Sequence, residues 1–223
     1  MSKFIILRYC IKLWLVNFAF INGLSSEDYH KDLLVKLNSN FPAEILFIQS
    51  DSEDNISKGW MIVGRNGLAR VEFEPPNHHI MVADGRWLIV HDARYDRTSY
   101  LPIDKGILGA LLHPEKFTAL NQLNISRFKN NNSTYYSVIS KNFDGSELKL
   151  YFDDAEKKLI KWEIIENGRL NIKVDISKMT RLKDLKGLDE NIFRFPNFMR
   201  ASLKGFLGPF DRKLTKIPTS NSN

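Results

Sequence analysis

The chain has 223 residues, with 32 Lys plus Arg against 26 Asp plus Glu, a formal charge of +6 and one cysteine, Cys10. That length suits one large domain that can bury a core. The charge excess is small and shows no dense Lys/Arg stripe, which argues against phosphate neutralisation and hence against a nucleic-acid partner.

Residues 1–25 carry Lys3, Arg8 and Lys12, no acid, and an apolar run from Leu13 to Leu24. This reads as a secretory signal peptide; the run is shorter than the roughly 20 residues a spanning helix needs. Gly23 and Ser25 suit a cut after Ser25. Cys10 leaves with the signal, so the mature chain has no thiol, no disulfide and no cysteine ligand. Its charge falls to 29 basic against 26 acidic residues, a formal +3.

After the signal, Tyr29, Leu33, Leu34 and Leu37 recur at helical spacing and Pro42 ends the run, which predicts an amphipathic helix over about 27–40. From Ile45 the pattern switches to short β-branched and aromatic runs: "ILFIQS", "GWMIVGRNG", "LARVEFEPP", "IMVADGRWLIVHD" and "RTSYLP". These predict an antiparallel meander, with Asp84-Gly85 as the central pair of a primed hairpin turn. Ile107, Leu108, Leu111 and Leu112 then cluster on a short helical face, and a second helical reading runs from Pro114 to about Leu123. Strands resume at "TYYSVIS". In the last third, Leu148, Leu150 and Phe152, then Ile160, Trp162 and Ile164, then Leu170, Ile172, Val174 and Ile176 alternate with polar residues. Each set predicts a strand with one apolar face. Beyond Phe198 the sequence is basic and punctuated by Gly and Pro, which predicts a flexible tail.

Catalytic and metal signatures are sparse. His78, His79 and His91 with Asp84 and Asp92 are the only candidate ligand cluster, but adjacent strand residues face opposite ways and "EPPNHH" reads as a loop. No G-x-S-x-G elbow, glycine-rich phosphate loop or H-E-x-x-H helix occurs, and Asp153-Asp154 falls in a turn. The sequence thus predicts no enzyme, no metal and no cofactor.

The order of segments resembles the LolA family of periplasmic outer-membrane lipoprotein carriers. Phe47 with Gln49, Gly59, Arg65 with Gly67, Pro75 with Pro76, and Asp84 with Gly85 fall on the family's pattern, and "ELKLYF", "LIKWEII", "GRLNIKVDIS" and "FRF" follow it. The resemblance spans roughly residues 27–196. Two departures stand out: Asn66 where the family usually has proline, and Ala69 where a bulky apolar residue is common.

The resemblance implies an α+β, mainly antiparallel β fold: an unclosed half β-barrel with an α-helical lid over an apolar concave face. It divides the chain into a signal peptide (1–25), a lipoprotein-carrier domain (26–198) and a tail (199–223). Phe47, Met61, Val63, Ala69, Val71, Phe73, Leu108, Leu111 and Leu112 would line an acyl-chain cavity. Met61, Val63, Ala69, Val71 and Phe73 also share odd parity on two consecutive runs, whereas Ile172 and Val174 read as permanently packed sheet. Arg65 shares that parity. In the family the matching arginine locks the lid, with carbonyls of Leu108, Leu111 or Leu112, or of the N-terminal helix, as acceptors; by itself the pattern also fits an arginine snorkelling at a strand end. The implied function is a monomeric periplasmic chaperone that takes acylated lipoproteins from an inner-membrane LolCDE-like releasing complex to a LolB-like or other outer-membrane acceptor. A half-barrel acceptor or sensor, or a secreted hydrolase with an unrecognised site, are the alternatives. An acceptor would need a lipidated cysteine after the signal, and a sensor a second domain.

Overall fold

The computed structural model describes residues 26–77, 79–119, 123–140, 145–186 and 190–194. The expected signal peptide, Cys10, His78 and the tail from 199 lie outside these residues. Helix α1 (Ser26–Asn40) is followed by β1 (Ala43–Asp51), β2 (Ile56–Val63), β3 (Leu68–Phe73), β4 (His79–Asp84), β5 (Trp87–Asp92) and β6 (Arg97–Pro102). A 3-10 turn (Ile103–Lys105) and helices α2 (Gly109–Leu112) and α3 (Pro114–Ala119) lead to β7 (Leu123–Asn130), β8 (Ser133–Ser140), β9 (Glu147–Asp153), β10 (Leu159–Glu166) and β11 (Arg169–Arg181), and a second 3-10 turn spans Glu190–Phe193.

All eleven strands form one sheet in the order β6-β5-β4-β3-β2-β1-β11-β10-β9-β8-β7, and every pairing is antiparallel. The sheet is unclosed, because β6 and β7 are its two edges. The chain between these edges, residues 103–122, must therefore cross the whole sheet, and its apolar helix α2 packs on one face with Leu33 and Leu37 of α1. Six inter-strand steps would separate β5 from β10 by about 29 Å in a flat sheet. Leu88 of β5 and Trp162 of β10 line one small cavity, so the sheet is strongly curved and the helices cover its concave face.

Several local expectations change. The second helix ends at Ala119, and Leu123 opens strand β7 instead. That strand carries Arg127 and Lys129 and has little apolar alternation, as befits a protected edge. Ile160 is exposed rather than inward: the β9–β10 register shifts between Leu159 and Lys161, so Leu159 takes the buried position and Ile160 turns out at a bulge. A shift between Ile164 and Ile165 likewise leaves Leu170 exposed. At Asp84-Gly85 only Gly85 has positive φ, so the central pair of that turn is Gly85-Arg86, with Asp84 Oδ1 accepting the backbone N–H of Arg86 and Trp87. Two turns among the described residues have two consecutive positive φ values, Asn66-Gly67 at 56° and 79° and Asn167-Gly168 at 52° and 73°.

The convex face of β2–β5 is also buried. Trp60, Ile62, Val82 and Ile89 pack with Leu185, Ile192 and Phe193, which follow β11. Arg70, 2% exposed, lies in this layer, where its Nε donates to Glu72 Oε1 at 2.7 Å and its guanidinium also donates to the Ile192 carbonyl at 3.1 Å. The ion pair supplies the partners that burying a charge demands.

Candidate ligand-binding site

Strands β2 and β3 pair Met61 with Val71, Val63 with Ala69 and Gly59 with Phe73, so the odd-numbered residues share the concave face. Phe47 of β1 reaches the same face and meets Phe73 edge to face, ring centroids 5.5 Å apart. Gly59 makes room for it: a Cβ there would lie 2.7 Å from the Phe47 ring. Over these strands lie Leu108, Leu111 and Leu112. Together they enclose a cavity of about 150 Å³, and all nine sequence-predicted lining residues border it.

The remaining walls come from Met81, Ala83 and Leu88 on one side and Trp162, Ile164, Ile172 and Val174 on the other. Ile172 and Val174 therefore border the cavity, contrary to their reading as separate packed sheet. Strand alternation showed that they face inward, but only the curvature, a long-range property, brings β10 and β11 round to face β3. The lining is apolar apart from Gln49. A cavity of this volume holds roughly a benzene-sized hydrocarbon, so a longer chain needs the cover to move.

Burial varies around the cavity: Val63, Ala69 and Ala83 near the β2–β3 and β4–β5 turns are buried, as are Phe47 and Phe73 at the other end, whereas Val71, Met81, Leu88 and Ile172 are half-buried. The turn end is stitched by backbone: Gly67 N–H donates to the Leu112 carbonyl at 2.9 Å, and Gly85 N–H to the Gly67 carbonyl at 3.0 Å. A Cβ on Gly67 would come within 2.9 Å of Gly85 Cα, so this stack of turns requires glycine.

Arg65 sits in the exposed β2–β3 turn. Its Nε donates to the Phe41 carbonyl, one residue beyond α1, at 3.4 Å. The acceptor thus belongs to the end of the N-terminal helix, while the Leu112 carbonyl is engaged by Gly67. Helix α1 is held at two further places. Asn40 donates to the Lys157 carbonyl and accepts from Leu159 N–H, each at 3.0 Å. Asp32 accepts a hydrogen bond from the Tyr136 hydroxyl and pairs with Arg127 at 3.5 Å. Burial, then the Asp32 carboxylate, pushes the Tyr136 phenol well above its ordinary pKa. Sequence reasoning missed Asn40, Asp32 and Tyr136, because their partners lie about a hundred residues away.

The histidines do not converge. His79 faces Asp92 at 3.4 Å, whereas the buried His91, one register position along and so on the opposite face, meets Thr98; Asp84 is at the far end of β4. Among the described residues no group of three or more His, Cys, Asp or Glu could hold a metal ion, and no helix is long and apolar enough to cross a membrane.

Comparison with known proteins gives one family. The model of outer membrane lipoprotein carrier protein LolA matches residues 42–196. Among solved structures, an uncharacterized conserved protein from Thermus thermophilus is 11% identical over 74% of this chain and 93% of that one, with a TM-score of 0.47. A LolA-superfamily protein from Nitrosomonas europaea is 13% identical over 74% of this chain and 97% of its own, TM-score 0.42. MucB in the Pseudomonas aeruginosa MucA/MucB complex is 12% identical over 68% of this chain and 56% of its own, TM-score 0.40. A search of the curated proteins finds no match.

Proposed function

Because the chain belongs to the LolA family of outer membrane lipoprotein carriers, we propose that it is a periplasmic chaperone that shields the acyl chains of lipoproteins between an inner-membrane releasing complex and an outer-membrane acceptor. The observation that carries this reading is the apolar cavity closed by helices that a topological crossover lays over the sheet. Each methylene left in water costs about 0.8 kcal/mol, so acyl chains cross an aqueous compartment only under cover. A carrier must also let go. The cavity answers that need with a cover fastened at a few polar points: Gly67 to Leu112, Arg65 to Phe41, and Tyr136 with Arg127 to Asp32. In this reading these are the bonds that break when cargo enters, and Arg65 is one latch among several. The protein is a carrier rather than an enzyme, works without metal or cofactor, and acts as a monomer.

The test is native mass spectrometry of the mature protein with a synthetic acylated lipopeptide and the same peptide without its acyl chains. A complex with the acylated form alone is expected. Absence of any complex, or equal binding of both peptides, would overturn the proposal.

A further inference from the structure

Gln49 is the one polar side chain bordering the cavity, and it is half-buried. It lies directly opposite Ser57 in the β1–β2 register, and its amide makes no hydrogen bond to a described residue. Ser57 lies on the same face and is half-buried, and its hydroxyl meets Asn77 Nδ2 at 3.5 Å. Just beyond, the β1–β2 turn "DSEDN" carries Asp51, Glu53 and Asp54 and no cation. Asp51 is fixed there by hydrogen bonds from Glu53 N–H, Asn55 N–H and the Asn55 side chain. A ligand whose hydrocarbon fills the cavity therefore meets first an uncommitted amide and a hydroxyl, then a fixed negative charge.

Building on the carrier reading, we infer that Gln49 and Ser57 form a recognition rim for the neutral ester or amide carbonyl that joins an acyl chain to its carrier, and that the acidic turn rejects free fatty acids. The Gln49 Nε2–H group can donate to such a carbonyl. A free carboxylate would accept the same hydrogen bond but would bring a like charge toward Asp51, which disfavours it. The rim thus fixes polarity as well as chemistry: chain end inward, linkage at the mouth, and the attached peptide or glycerol outside.

The experiment uses the mature protein, the fluorescent apolar dye N-phenyl-1-naphthylamine as reporter, and methyl laurate and sodium laurate as competitors at neutral pH. The wild type should be displaced at least about tenfold more readily by the ester than by the acid. Gln49→Leu should bind the dye at least as tightly as wild type, since it leaves the lining wholly apolar, yet lose about three- to tenfold in ester affinity relative to the dye, the scale of one neutral hydrogen bond. Asp51→Asn should narrow the gap between ester and acid without weakening the ester. If Gln49→Leu binds the ester like wild type, or the acid competes equally well in wild type, the rim proposal fails while the carrier reading stands. If wild type binds neither dye nor ester, the carrier reading fails and the rim with it.

Discussion

The two faces of strands β2–β5 are both apolar yet built for different ends. On the convex face Trp60, Ile62, Val82 and Ile89 are covered by Phe193 and Leu185, and the layer encloses a buried ion pair hydrogen-bonded to the covering chain. On the concave face Met61, Val63, Val71 and Phe73 border empty volume under short helices. In the proposed carrier the same backbone thus carries a permanent seam and an openable one. What separates them is the cover, not the hydrophobicity of the strands: a covering segment that fills the space and satisfies a buried charge against helices that leave a void and are pinned by a few polar contacts.

The sharpest way to break the comparison is to attack the seam's charge. Arg70→Met removes the cation that faces the buried Glu72 carboxylate and should cost about 3–5 kcal/mol, read as a lowered urea midpoint. The double variant Arg70→Met/Glu72→Leu should recover most of that loss, because an apolar pair of similar volume needs no solvation. A single variant as stable as wild type would mean that the convex cover is as easily lifted as the concave one.

Next in size is the cover on the other side. Tyr136→Phe removes a hydrogen bond to the Asp32 carboxylate, a contact to a charged group contributing about 1.5–3 kcal/mol. Amide exchange in α1 should speed up while that of β3 and β4 stays slow. The phenol also gives a pH signature. Its folded pKa is raised above the unfolded value of about 10, and Tyr151 is raised likewise, by burial and then by Glu163. Below about pH 10 both states keep these protons and stability is independent of them; above it the unfolded chain releases protons that the native chain holds, so stability falls as pH rises. Tyr136→Phe should flatten that alkaline decline, and an unchanged slope would remove Tyr136 from its cause.

Smaller still in stability, though not in binding, are the half-buried cavity residues. Val71→Asn and Ile172→Asn should each cost about 1 kcal/mol of stability, being only partly buried, yet weaken acylated-lipopeptide binding roughly tenfold or more, as expected when an apolar contact is lost on loading. The two residues should behave alike. If Ile172 instead gave a large stability loss with normal binding, it would belong to the permanently packed sheet, as its sequence reading had it.

That last point marks what the sequence could and could not reveal. Odd parity put Met61, Val63, Ala69, Val71 and Phe73 on one face because strand alternation is local; that this face lines a cavity came from the family resemblance. Helix α1 and the α2 insertion were legible for the same reason, from spacing. Ile160 and Leu170 were misplaced because a bulge shifts which residues face inward, and its pairing partner sits on another strand. The convex seam left one clue, the unbroken run "WMIV", buried on both faces. Its cover, around Phe193, arrives from more than a hundred residues away.

The smallest effect belongs to the residue that family resemblance made the most prominent. An arginine latch donating to lid carbonyls through a charged hydrogen bond of about 1.5–3 kcal/mol would shift opening roughly 10- to 150-fold. In the structure Arg65 is exposed, its one hydrogen bond among the described residues, to Phe41, is long at 3.4 Å, and the Leu112 carbonyl is already taken by Gly67. Solvent competes for such a guanidinium, and the contribution should fall below about 1 kcal/mol, or at most about fivefold in opening. Arg65→Leu should therefore load lipopeptide only a few times faster than wild type, and Arg65→Lys should be indistinguishable from wild type, since no planar fork is engaged. Stopped-flow loading of a fluorescent lipopeptide resolves these rates. A hundredfold acceleration in Arg65→Leu would mean that the guanidinium, rather than the Gly67–Leu112 stitch and the Asp32 clasp, holds the cover shut.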